Sequence, residues 1–180
     1  KLVDSPKKSD KEFWGGYRIT FKVIKNEIKN NVKDIDNLRK QSIPLGKNEK
    51  KEMKIDISKY ENIDDAVLVY CDDDSLINVY SLKMIIIEKL RAICQQMPQY
   101  KEKMNVKVSP RPRDFYDIYT ILEKNETLKA DLLSSESREL ITDIFKIKKV
   151  PVTLLEHIKL EDTKKFHEQD FDTVRQTIYA

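Results

Sequence analysis

The segment from Leu82 to Met97 carries the pattern that most constrains what this chain can fold into. Ile86, Leu90 and Ile93 recur at intervals of three or four residues, which is the spacing of one helix face. Ser81 precedes the repeat as a good N-cap residue, and a proline follows it. The spacing predicts a helix over this segment, with one face buried against the rest of the protein.

Lys89 is the exception in that helix. Advancing by about 100° per residue places it inside the apolar arc, whereas Glu88, Arg91 and Gln95 share the opposite arc, which we expect to face solvent. Such a lysine can snorkel toward water along the helix edge. Otherwise its ammonium group needs an anionic partner, because an unpaired buried charge is costly. We expect Lys89 to point inward and to contact Asp114.

The motif RPRDFYD places two guanidinium groups at the start of a second helix. Pro112 suits the first position of a helix, and Asp114 suits the positive end of the helix dipole. Asp114 and Asp117 lie three residues apart and therefore share one helix face. The forks of Arg111 and Arg113 suit phosphates and carboxylates equally. The alternative is that Asp114 only caps the helix while both arginines stay solvated.

Strand-like alternation precedes the first helix and amphipathic segments follow it. The chain therefore predicts an α+β protein, in which a small mixed, largely antiparallel sheet with helices is followed by a C-terminal helical bundle. We divide it into an α+β domain of residues 1–110 and a helical domain of residues 111–180. The predicted strands are Tyr17–Ile24, Met53–Ser58, Ala66–Tyr70 and Ile77–Tyr80, with a helix-and-loop excursion over Lys25–Lys51; the later helical segments are Leu128–Leu133, Glu136–Ile147, Thr153–Ile158 and Phe171–Ile178.

Other polar residues have simpler interpretations. Asp56 lies in a predicted strand between two isoleucines that face the other side, so it either faces solvent or forms part of a carboxylate group that holds Mg²⁺. The acidic run Asp72–Asp74 fits a solvated turn better than a metal site. His157 and His167 lack close partners of ligand type in the sequence, and Trp14 is interpreted as a packing residue.

The amino-acid composition limits the cellular compartment and the partners that we expect for this protein. Cys71 and Cys94 are far apart and favour a reducing compartment. No apolar run approaches the roughly 18 residues that a membrane helix needs. Lysine and arginine total 34 against 31 aspartate and glutamate residues, so the net charge of +3 gives no strong field for polyanions. We expect a soluble, cytoplasmic protein with no membrane partner, in which any nucleic-acid contact comes from local clusters.

Three segments in order, MKIDIS, EKLRAIC and RPRDFYDIY, resemble the nucleotidyltransferases of the bacterial AbiEii abortive-infection toxin family. The resemblance runs from about Gly15 to Leu122, with a looser match near Phe171–Ile178. It implies the distal part of a polymerase-β-like nucleotidyltransferase fold. By the same resemblance Lys89 is a catalytic lysine, Asp114 a catalytic or lysine-orienting carboxylate, and Asp56 a third carboxylate that binds the metal; Arg111, Arg113 and Asp117 have less defined roles in binding nucleotide or RNA.

The family resemblance also implies an activity. Its members transfer a nucleotide from a nucleoside triphosphate, with Mg²⁺, to an acceptor such as tRNA, and act as toxins paired with an antitoxin in toxin–antitoxin or phage-defence systems. In the family a Gly-Ser motif, followed by an Asp-x-Asp pair, should precede the strand that begins near Gly15, and this sequence contains no Gly-Ser dipeptide. Either this N-terminal part was removed or is supplied separately, or the protein is a degenerate, inactive relative; in each case we expect little activity from these residues alone. The alternative is an inactive interaction module; a metal nuclease is disfavoured, because Asp56 and Lys59 lack carboxylate-x-Lys spacing.

Overall fold

A computed structural model describes residues 2–4, 13, 15–29, 34–45, 49–72 and 74–178. The chain divides into two compact units, Lys1–Tyr60 and Glu61–Ala180. The boundary that we placed between residues 110 and 111 falls inside the second unit and stays a prediction. Trp14 and Asp73 lie outside the described residues. Among the residues that are described, no helix is long and apolar enough to cross a membrane.

The first unit is built on a three-stranded antiparallel sheet. Its strands are β1 (Leu2–Asp4), β2 (Gly16–Phe21) and β3 (Met53–Ser58), in the order β1-β2-β3. The excursion between β2 and β3 contains two short helices, α1 (Asn26–Lys29) and α2 (Ile35–Lys40), as the sequence indicated.

Strand β2 stops at Phe21 rather than at the predicted Ile24. The carbonyl group of Val23 accepts a hydrogen bond from the backbone N–H of Ile43, at 2.9 Å, so beyond Phe21 the chain pairs with the excursion and not with β3. The register of β2 and β3 places Arg18 opposite Asp56.

The second unit begins with a hairpin of β4 (Ala66–Tyr70) and β5 (Leu76–Tyr80). Asp74, with a φ of 61°, lies in the turn that joins them, which agrees with the predicted turn. Every described strand pairing is antiparallel, as predicted, and the described strands form two small sheets, in the second of which β4 and β5 pair with each other. Alternation along each strand predicts that a strand forms without predicting which strand it pairs with.

Helix α3 (Leu82–Cys94) follows the hairpin directly. The Ser81 hydroxyl group accepts a hydrogen bond from the backbone N–H of Met84 at 3.1 Å, so the predicted N-cap is confirmed. The helix ends three residues before the predicted Met97. The backbone N–H of Met97 bonds to the carbonyl group of Cys94, which tightens the last turn.

The arc that we expected to face solvent is largely covered. The side chains of Glu88 and Arg91 are only 15% and 12% exposed. Arg91 donates to Glu88 at 2.8 Å and to Gln95 at 2.7 Å, and Gln95 donates to the hydroxyl group of Tyr100 at 3.1 Å. These polar groups satisfy one another, so burial does not leave them unpaired.

The helical bundle closes around α3. Helix α3 packs against α5, α7 and a 3-10 helix. The buried apolar core is formed by Ile87, Cys94, Met97, Tyr100, Ile144, Phe145, Val150 and Leu154. The remaining elements of the unit are α4 (Pro98–Met104), α5 (Pro112–Lys124), α6 (Glu126–Asp131), α7 (Ser135–Ile147), the 3-10 helix Val152–Lys159, α8 (Glu161–Glu168) and α9 (Phe171–Ile178).

Replacement of the α3 cap tests how this helix is anchored. The hydroxyl group of Ser81 accepts from Met84 and also donates to a carboxylate oxygen of Asp65. We expect Ser81→Ala to lower the free energy of unfolding by about 1 to 2 kcal/mol, measured by urea denaturation. Ser135→Ala is the control, because Ser135 is exposed. Equal stabilities of the two variants would contradict the anchoring role of Ser81.

Candidate active site

Lys89 lies between two carboxylates of α5. Its Nζ donates to Asp114 Oδ1 at 2.9 Å and to Asp117 Oδ2 at 2.7 Å. The predicted contact between Lys89 and Asp114 is confirmed, and the ammonium group is not free in solvent, since the side chain is 23% exposed. The sequence had not assigned Asp117 to Lys89. The available signal was the three-residue spacing that puts both carboxylates on one face of α5.

Both oxygens of the Asp114 carboxylate are used. Oδ1 accepts from Lys89, and Oδ2 accepts from Arg111 Nε at 2.5 Å. Asp114 is 8% exposed, and no side-chain hydrogen bond caps the start of α5. The alternative in which Asp114 only caps the helix is therefore wrong. Its carboxylate joins a lysine on α3 to an arginine that precedes α5.

The ammonium group of Lys89 is held in its charged form. Burial lowers its pKa, but the hydrogen bonds and charges of Asp117 and Asp114 outweigh burial, and the pKa is raised above the ordinary value of a lysine. Lys89, Arg111, Asp114 and Asp117 carry two positive and two negative charges. The cluster is thus neutral overall, with a fixed cation at its centre.

His167 on α8 contacts this cluster through the backbone of Arg111. Its Nδ1 accepts a hydrogen bond from the backbone N–H of Arg111 at 2.9 Å. Its ring is 3% exposed and packs against Phe115 and Phe166, with centroid distances of 5.1 and 5.0 Å. Burial, followed by the charge of Arg111, lowers the pKa of His167 despite the opposing effect of Asp114. Because Nδ1 accepts a hydrogen bond, the neutral ring carries its proton on Nε2.

Sequence reasoning missed His167. It is separated from Arg111 by 56 residues, and nothing near it in the sequence points to the motif RPRDFYD. The two arginines of that motif also differ. Arg111 holds Asp114, whereas Arg113 is exposed and makes no ion pair within the described part of the chain. The Arg111 side chain is 39% exposed but is paired with Asp114, so of these two arginines Arg113 is the one without an ion pair among the described residues.

Asp56 belongs to the first unit and has a different environment. Arg18 holds it through both oxygens, with Nε to Oδ1 at 2.6 Å and Nη2 to Oδ2 at 2.8 Å. The hydrogen bond from Arg18 lowers the pKa of Asp56, the loss of solvent opposes this, and the charges of Arg18 and Lys54 add to the lowering. The Asp56 side chain is 60% exposed, which agrees with the solvent-facing alternative.

The described residues do not by themselves form a complete site for the Mg²⁺ ion that the family resemblance implied. Within the described ranges, no group of three His, Cys, Asp or Glu side chains could hold a metal ion. Asp56 would have to release Arg18, and Asp114 and Asp117 would have to release Lys89, before any of them could bind one. The role of Asp56 as a metal ligand stays a prediction.

Comparison with known proteins extends the resemblance beyond the motifs. A family model described as "Nucleotidyl transferase AbiEii toxin, Type IV TA system" matches residues 12–180. No curated protein and no solved structure matches the chain. The family match includes the α3 lysine, the RPRDFYD motif and the helices as far as α9, whereas the motifs carried the resemblance to Leu122, with a looser match near Phe171–Ile178. The chain therefore belongs to the AbiEii family of nucleotidyl transferase toxins, which form part of type IV toxin–antitoxin systems.

Proposed function

We propose that this chain contributes Lys89, Asp114 and Asp117 to a site that transfers a nucleotide from a nucleoside triphosphate to an RNA acceptor. Membership of the family implies a nucleotide substrate and an antitoxin partner. The observation that carries the proposal is the Lys89 ammonium group fixed between two carboxylates, one of which is itself held by Arg111. We place the reaction in the cytoplasm, a setting that the free thiols of Cys71 and Cys94 support.

The proposed reaction needs a cation at the phosphates. The acceptor hydroxyl group releases its proton to solvent and its oxygen forms a bond to the α-phosphorus, while the bond from that phosphorus to the bridging oxygen breaks and pyrophosphate leaves with the electron pair. Negative charge on the phosphate oxygens grows as this happens. A cation that is already oriented stabilises the charge without a reorganisation cost. Lys89 has the charge and the fixed position for this role, because two carboxylates keep it protonated.

The two carboxylates have separate roles in this proposal. Asp114 is the more buried and has two partners, so it positions Lys89. Asp117 has a side chain that is 32% exposed, and its contact with the cluster is the one to Lys89. An arriving phosphate can therefore replace Asp117 on the Lys89 ammonium group while Asp114 stays in place. The exposed Arg113 offers a second phosphate contact at the start of α5.

Mg²⁺ remains the expected cofactor, although no step of the reaction is assigned to it. We keep Asp56 as the proposed ligand on the strength of the family resemblance. Binding would require Asp56 to exchange Arg18 for the metal ion.

The choice of RNA as the acceptor rests on the first unit. Its 60 residues contain 16 lysines and arginines against 9 aspartates and glutamates, a formal charge of +7, whereas the second unit carries −4. Lys22 and Arg39 lie at a groove of about 630 Å³ that also contains Phe21, whose side chain is 38% exposed. Basic side chains beside an exposed aromatic ring suit a single-stranded nucleic acid, because they bind phosphates while the ring stacks on a base.

Charge-removing substitutions in the full-length protein test the site. Asp114→Asn and Asp117→Asn preserve size but each removes one of the two negative charges that contact Lys89. We expect Asp114→Asn to reduce nucleotide transfer by about 100-fold or more, because Lys89 loses the carboxylate that fixes its position. We expect Asp117→Asn to reduce transfer less, because a phosphate takes its place during the reaction. Incorporation of labelled nucleotide into RNA is the measurement.

Asp143→Asn on α7 is the matched control, since Asp143 is an exposed carboxylate that makes no ion pair with described residues. Thermal unfolding of each variant separates loss of activity from loss of structure. Full activity in folded Asp114→Asn protein would contradict the proposed role of the Lys89 site and favour a non-catalytic interaction module.

Removal of basic groups tests the RNA surface. We expect the double variant Lys22→Gln and Arg39→Gln to weaken RNA binding and to reduce the slope of log Kd against log salt by about one for each phosphate that the protein no longer neutralises. Lys124→Gln with Lys146→Gln is the control, because it removes two exposed charges from the acidic second unit. Filter binding over a range of salt concentrations gives the slopes. Identical slopes for both double variants would remove the first unit from the proposal.

A further inference from the structure

We infer that His167 is a positioning residue for the Lys89 site, acting through the backbone of Arg111. This inference rests on the proposed function. Three successive contacts connect the imidazole to the ammonium group. His167 Nδ1 accepts from the Arg111 N–H at 2.9 Å, Arg111 Nε reaches Asp114 Oδ2 at 2.5 Å, and Asp114 Oδ1 accepts from Lys89 Nζ at 2.9 Å.

Arg111 occupies a position where its backbone needs an external partner. It is the N-cap residue of α5, with φ −132° and ψ 50°, and its side chain makes no capping hydrogen bond. Pro112 follows it, restricts its conformation and has no N–H of its own. The Arg111 N–H lies before the helix, and the described residue that accepts it is His167. This bond orients the residue whose guanidinium group holds Asp114.

The His167 ring is rigid enough to set that orientation. It is 3% exposed, and it packs on Phe115, which belongs to the same helix as Asp114 and Asp117. One ring face therefore contacts α5 while Nδ1 holds the residue that begins α5. His167 Nε2 has no hydrogen-bond partner among the described residues. Among the described residues, the ring thus makes its polar contact with Arg111, through Nδ1. Substitutions can therefore test the hydrogen bond of Nδ1 separately from the packing of the ring.

A positioning role for His167 requires a hydrogen-bond acceptor at the place of Nδ1, whereas a packing role requires only a side chain of similar size. Asparagine can place its amide oxygen near the position of Nδ1 and accept the same hydrogen bond. Leucine is close to asparagine in size and fills the space without accepting. Glutamine is polar but carries its oxygen nearer the position of Nε2. If His167 only fills space, leucine is the better replacement; if it positions Arg111, asparagine is.

The experiment uses the full-length protein with His167→Asn, His167→Leu and His167→Gln, and with His157→Leu as the control histidine, whose ring contacts Gln99. Hydrogen exchange of the Arg111 amide reports the contact without any need for activity. Nucleotide transfer gives kcat and KM for the nucleoside triphosphate. Thermal unfolding reports folding, and His167→Gln replaces His167→Leu as the loss variant if the leucine variant does not fold.

We expect His167→Leu to lose protection of the Arg111 amide and to lower kcat by about 10- to 100-fold with KM nearly unchanged, because a misplaced Asp114 weakens transition-state stabilisation more than substrate binding. We expect His167→Asn to restore both protection and kcat. Retained kcat in the unprotected leucine variant, or equal loss in the leucine and asparagine variants, would overturn the inference while the proposed function stands. Absence of transfer in the wild-type protein, with the Arg111 amide protected, would overturn the proposed function itself and the role that depends on it.

Discussion

The contact between Lys89 and the two carboxylates of α5 is the interaction on which the second unit depends. A lysine on the inner side of α3 would be unfavourable without partners, since burial alone lowers its pKa. Asp114 and Asp117 reverse that effect and join α3 to α5 by polar contacts beside the apolar core. The same contacts that make the lysine tolerable in the fold also hold its charge in one place. Structural and chemical roles are therefore difficult to separate at this position.

The residues of the cluster are held in place by a series of contacts. Lys89 depends on Asp114, Asp114 depends on Arg111, and the backbone of Arg111 depends on His167. Each step moves farther from the ammonium group and deeper into the C-terminal helices. The family match extends through these helices as well as through the motifs. In this arrangement the helical tail is part of the site's scaffold, because α8 supplies the residue that orients the start of α5.

Local patterns in the sequence predicted the local parts of this structure. The period of α3 and the unusual placement of Lys89 were enough to predict its contact with Asp114, because an inward charge demands a partner and the RPRDFYD motif offered one. Patterns within one segment carry no information about which distant segment covers it. The prediction that Arg91 faces solvent was wrong for that reason. The contact of His167 with Arg111 and the split of the strands into two sheets depend on tertiary packing in the same way.

The three-residue spacing of Asp114 and Asp117 has a consequence for motion. Because both carboxylates belong to one helix and both contact the ammonium group at once, either contact can be released by rotation of side-chain torsions while both backbones stay still. Rotations of this kind take picoseconds to nanoseconds, whereas movements of whole helices or domains are orders of magnitude slower. In the proposed reaction, exchange of a carboxylate for an arriving anion at Lys89 would therefore need no rearrangement of the fold.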